Sequence, residues 1–101
     1  MARCSSRVDP MEDNFARYIQ EAAAADPTDR ATFSRLLRDG RALAGMSLRD
    51  AAGEFRTAPG TVSRWENGYC APPVIARREI IWQLSARIHT KDEQWLRTHP
   101  E

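Results

Sequence analysis

Apolar residues recur at helical intervals along most of the chain, and nowhere do they alternate as a half-buried strand would. Met11, Phe15, Ile19 and Ala22 mark one face of a first helix. Asp9-Pro10-Met11-Glu12 opens it: a capping acid, proline at the first helical position, and an acid three residues after the cap. Asp26-Pro27-Thr28-Asp29 repeats that signal, and aspartate before proline disfavours the helical region, so one helix is expected to end there and another to begin. The second turns Phe33, Leu36, Leu37, Gly40 and Ala44 inward and ends near Gly45. Ser47 caps a third, with Asp50 as a short capping-box acid, and Leu48, Ala51, Ala52 and Phe55 form one tight stripe. Val74, Ile80, Ile81, Leu84 and Ile88 pattern a longer helix, and Thr90 with Glu93 predicts a capping box for a last short one carrying Trp95 and Leu96.

Between Phe55 and Val74 lies APGTVSRWENG, residues 58–68. Pro-Gly usually marks a turn, but Pro59 costs nothing in the first turn of a helix, where its missing N–H has no partner anyway. With residues 59–67 helical, Val62 and Trp65 share one face. Gly60, Arg64 and Asn67 lie opposite, flanked by Thr61 and Ser63. An exposed glycine lets the backbone approach a surface closely, and arginine, amide and hydroxyl groups suit base edges and phosphates. Pro59 therefore begins this helix. Glu66 sits about 40° from Val62 on the helical wheel, so it should point inward, where a carboxylate needs a partner.

Composition changes this picture little; charge distribution changes it more. The formal net charge is +1, but residues 9–29 sum to −5 and residues 30–78, with nine arginines, to +5. That split points to an anionic partner for the middle segment, or to acidic and basic segments that face each other. No apolar run approaches the ~18 residues of a membrane helix, and the start lacks the apolar core of a secretory signal. Cys4 and Cys70 make no metal-ligand spacing. His89 and His99 belong to no acid or nucleophile pattern. The expectation is a cytoplasmic protein that is not an enzyme, with no cofactor, no metal and no membrane association.

A short helix, a tight turn and a short helix with a polar outer face make a helix-turn-helix arrangement. SLRDAAGEFRTAPGTVSRWENG resembles the signature of the Cro/repressor-type (XRE) family. The features that match are Ser47, the Ala51-Ala52 pair, Phe55, TVSRWE at 61–66 and Gly68. RLLRDGRALAGM resembles that family's first helix and the segment ending SARIHTKDEQWL its fourth and fifth, so the likeness covers about residues 30–97. Two departures stand out: Arg56 where the family usually has glycine in the turn, and Leu48 where it often has a glutamine that touches DNA.

The patterning predicts an all-α fold with an additional N-terminal helix over 9–26 and a disordered tail over 1–8, and the resemblance implies a five-helix repressor-like domain over 27–98. It implies a sequence-specific transcriptional regulator of the kind found in phages, conjugative elements and toxin–antitoxin pairs. The partner is double-stranded DNA, read in the major groove by a homodimer on an inverted repeat. Arg64 is the expected base reader, with a phosphate contact as the other reading. Thr57, Pro59, Gly60, Thr61 and Ser63 line the interface. Asn67 either touches phosphate or caps its helix. Arg49 and Arg56 are phosphate partners or plain surface charge. Arg41 aligns with an arginine that pairs with the Glu66 position in some repressors, so the two form a structural ion pair. Arg3 and Arg7 are a minor-groove arm or a basic tail. The alternative function is a protein-interaction module on the same fold, binding a toxin or an activator, which Gly60 and Leu48 favour. For the dimer, the C-terminal helices are preferred over the N-terminal one.

Overall fold

The computed structural model describes residues 10–98, with side chains from residue 14 onward. The expectations for the 1–8 tail, Asp9, the Met11 side chain, Cys4, the Arg3 and Arg7 arm and His99 lie outside the described residues. Among the described residues all regular structure is helical: α1 (Pro10–Ala24), α2 (Arg30–Leu43), α3 (Leu48–Glu54), α4 (Pro59–Glu66) and α5 (Val74–Thr98). The all-α expectation holds, but the chain has five helices here rather than six. The two expected C-terminal helices are one. Thr90 caps nothing: its hydroxyl donates to the Ala86 carbonyl one turn back, and Glu93 pairs with His89 along the same helix. No glycine or proline interrupts residues 74–98, so no local signal strong enough to stop the helix exists.

The start of α2 also differs from expectation. Its N-cap is Asp29, whose carboxylate accepts from the Ala31 and Thr32 amides. Asp26 instead closes a turn, accepting from the amide and hydroxyl of Thr28. Ser47 and Asp50 do form the reciprocal capping box that opens α3.

Three helices end in one motif. After α2, Met46 N–H donates to Arg41 and Gly45 N–H to Ala42; after α4, Tyr69 donates to Arg64 and Gly68 to Trp65. After α3, Thr57 donates to Ala52 and Arg56 to Gly53. This paired closure needs a left-handed residue just past the helix. Gly45 (φ 74°) and Gly68 (φ 80°) supply it cheaply, while Arg56 adopts φ 58° with a full side chain.

The core joins Phe33, Leu36 and Leu37 of α2, Ala51 and Ala52 of α3, Val62 of α4, and Ile80, Ile81, Leu84 and Ile88 of α5. Phe15 and Tyr18 of α1 are buried in the same cluster, so α1 is part of this core and not an accessory to it. The Tyr18 ring lies across Gly40, where a Cβ would overlap it, and its hydroxyl donates to the Leu36 carbonyl at 2.7 Å. Burial, reinforced by the nearby Asp39 carboxylate, pushes the Tyr18 phenol well above the ordinary tyrosine range.

Candidate nucleic-acid interface

The orientation of α4 is set from its inner side. Val62 is fully buried, and the Trp65 ring meets Phe33 edge-on with centroids 6.4 Å apart. Ser34, buried on α2, donates its hydroxyl to the Trp65 carbonyl at 2.7 Å. Glu66 is buried, and Arg41 grips it bidentately, Nε to Oε2 at 2.5 Å and Nη2 to Oε1 at 3.1 Å. The third arm of the guanidinium donates to the Met46 carbonyl at 3.0 Å, tying in the loop before α3. Hydrogen bonding to the carboxylate outweighs partial burial and raises the Arg41 pKa further above its ordinary value. Three separate bonds from α2 therefore fix both the depth and the rotation of α4.

The outer side of α4 is polar. Pro59, Gly60, Arg64 and Asn67 are exposed, and Thr61 and Ser63 half-exposed. Arg64 makes one intramolecular hydrogen bond, Nη2 to the Thr61 hydroxyl at 3.3 Å. Nothing within the fold demands glycine at position 60: a Cβ there would meet only the Arg64 guanidinium, at 3.8 Å. Asn67 is the helix C-cap, and its amide donates to the Ser63 carbonyl at 2.8 Å, so of the two readings of Asn67 the cap is the one realised within the fold. Thr57, half-exposed, closes the α3 terminus through its backbone.

The arginines of the middle segment divide into two sets. Arg35 bridges Glu21 of α1 and Asp39, Arg38 meets Asp39, and Arg41 holds Glu66. Arg77 stitches loops together by donating to the Pro72, Pro27 and Thr28 carbonyls. By contrast Arg30, Arg49, Arg56, Arg64 and Arg78 carry no salt bridge among the described residues. All five are exposed. Arg56 and Arg64 belong to the α3–turn–α4 unit, and Arg49 lies in the first turn of α3. Arg30 was not singled out in the sequence. It opens, with Arg38, Asn67 and Gly68, into a cleft of about 490 Å³ beside the C-terminal end of α4. Only the packing of α2 against α4 brings it there, and no local pattern signals it.

Leu48 is half-buried and packs against the core. The first turn of α3 offers little to a phosphate. The Asp50 and Ser47 amides are occupied by the capping box, which leaves the Asp50 carboxylate at that end. Hydrogen bonds from Ser47 hold that carboxyl below the usual aspartate range. Cys70 is a free thiol. Among the described residues no His, Cys, Asp or Glu cluster could hold a metal, and no helix is long and apolar enough to cross a membrane. No protein-family model, no curated protein and no solved structure matches this chain.

Proposed function

We propose that this chain is a sequence-specific DNA-binding transcriptional regulator of the helix-turn-helix kind, with α4 in the major groove and α3 across the backbone. One observation carries the reading: α4 is pinned on one side by Ser34, Arg41 and Phe33, and presents on the other a glycine, two hydroxyls and an arginine with no acidic partner. A rigidly held helix with an uncommitted polar face suits reading base edges, and the unpaired Arg30, Arg49 and Arg56 around it suit phosphates. A single short helix reads only a few base pairs, too few to locate a site in a genome, so the protein binds as a homodimer on an inverted repeat. It works without a cofactor and is not an enzyme. Leu48 packs against the core and, like Gly60, offers no side chain that reads DNA, so these two residues are what favours a protein-interaction module instead.

Selection of DNA from a random pool by the purified protein tests this. The expected outcome is an enriched inverted repeat whose affinity falls steeply with salt as counterions are released. Arg64→Ala should cost roughly 1–3 kcal/mol and relax preference at one position per half-site. An unenriched pool, with affinity indifferent to salt, would overturn the reading in favour of the interaction module.

A further inference from the structure

The end of α1 carries no bulk. Phe15 and Tyr18 are buried in the core earlier in the helix, but residues 22–25 are consecutive alanines. Across from them α5 presents the larger Ile81 and Trp82. Short side chains on one helix facing large ones on the other leave an open groove of about 420 Å³, a size typical of small-molecule sites. Ile19, Ala22, Ala25 and Ile81 line it with Trp82, which is 66 % exposed. An indole left that open beside an apolar trough is recognition surface that the fold itself does not use.

Two polar side chains line the same groove, Arg78 and Ser85. Neither makes a hydrogen bond or salt bridge among the described residues. They stand seven residues apart on α5, on one side within about 20° and roughly 10 Å apart along the axis, with Ile81 and Trp82 between them. The adjacent Arg77 is a contrast. Its guanidinium is spent on the Pro72, Pro27 and Thr28 carbonyls, which fastens the start of α5 to the loop after α1. Hydrogen bonds from Thr28, and more weakly the Arg78 charge, hold the Asp26 carboxyl below the usual aspartate range, but Asp26 and Arg78 form no salt bridge.

We propose that this groove binds a small apolar monocarboxylic acid, its carboxylate on Arg78 and its tail across Ile81 and Trp82 toward Ser85. A guanidinium can donate two parallel hydrogen bonds to a carboxylate, and covering the indole and the alanines removes apolar surface from water. The polar groups at the two ends limit the apolar tail to about 10 Å. An uncharged analogue gains nothing from Arg78, and a cation is repelled by it. No residue lining the groove belongs to α3 or α4. The acid therefore bridges α1 and α5 without occupying the face of α4, and this inference stands apart from the regulator reading.

Phenylbutanoate, titrated into the full chain and followed by proton–nitrogen NMR, is the test. It should shift the Trp82 indole and the amides of Ala22, Ala23 and Ser85, leave those of α4 unmoved, and bind with a dissociation constant of about a millimolar or tighter. The melting temperature should rise with its concentration. Phenylbutanol should bind about five-fold more weakly, and phenylbutylammonium more weakly still. Arg78→Gln should erase the preference for acid over alcohol while leaving the alcohol's affinity unchanged, a result that general destabilisation would not give. Asp26→Asn, which removes a like charge near the ligand, should tighten the acid. Ala23 lines the groove from an exposed position, so Ala23→Trp should fill it and abolish binding with the helical circular dichroism unchanged. Shifts that are absent or scattered over the surface, equal affinity for acid and alcohol, or an Arg78→Gln chain that keeps the preference would each overturn the proposal. So would Trp82 resonances that move with protein concentration alone, which would mark the groove as a contact between copies. The titration contains no DNA, so its failure leaves the regulator reading standing, and a failed DNA selection leaves this site standing.

Discussion

Arg56 carries two demands at once. It holds a left-handed backbone, φ 58°, at the junction of α3 and α4. For a residue with a Cβ that conformation costs ~1–2 kcal/mol, of which glycine's larger chain entropy returns part. Arg56→Gly should therefore raise stability by about 1 kcal/mol. In the proposed interface the same change deletes a phosphate-reaching charge, so binding to all DNA sequences should weaken and the salt slope should fall by about one. Thermal melts and a salt titration on one variant separate the two effects; a variant neither more stable nor weaker in binding would contradict this account. Tyr18 gives a pH test. In the unfolded chain its phenol titrates near 10.0, while burial keeps it protonated to higher pH in the fold. A raised acid contributes stability below the unfolded value and loses it as pH climbs beyond. Stability should thus decline above about pH 10. Tyr18→Phe should flatten that decline while costing about 1 kcal/mol at neutral pH for the lost bond to Leu36.

At the scale of elements, the placement of α4 depends on a carboxylate. Glu66 is 8 % exposed and its partner Arg41 only partly so, whereas Glu54 meets Arg87 with both side chains more than a third exposed. Removing one member of a buried pair strands the other, a cost of about 3 kcal/mol when the survivor keeps some access to water. An exposed pair contributes less than ~1 kcal/mol. Glu66→Ala should accordingly lower the melting temperature far more than Glu54→Ala, and equal melting temperatures would refute the ranking. Most helix starts and stops were legible locally, because caps such as Ser47 with Asp50 act over three or four residues. The errors share a cause. Asp26 and Thr90 both carry the chemistry of a cap, but one closes a turn and the other back-bonds within α5. A hydroxyl or carboxylate near a helix end has several backbone partners within reach, and neighbouring packing selects among them.

For the whole molecule, α1 matters more than its position ahead of the α2–α5 segment implies. It buries Phe15 and Tyr18 against α2 and α5. A chain lacking residues 1–26 would open that side of the core and lose the Tyr18–Leu36 bond. We expect the truncated chain to unfold with low cooperativity or at a much lower temperature, by fluorescence and circular dichroism. If it melted as the full chain does, α1 would be a passenger. Charge has the same global character. The acidic front and basic middle do face each other in part, through Glu21 and Arg35, but the arginines around α4 remain outside such pairs.

The sequence by itself determined every helix but the undivided last one, their inward faces, the outward polar face of α4 and the inward turn of Glu66. These depend on spacing along a helix, a property of a few consecutive residues. It did not decide that α1 joins the core, that Gly40 makes room for the Tyr18 ring, that Ser34 and Phe33 anchor α4, or that Arg30 lies beside Asn67. Nor did it separate the arginines spent on carbonyls and carboxylates from those left free. Each of these depends on which residues distant in sequence come within a few ångströms of one another. That is settled only when five amphipathic helices compete to bury their apolar faces in one core.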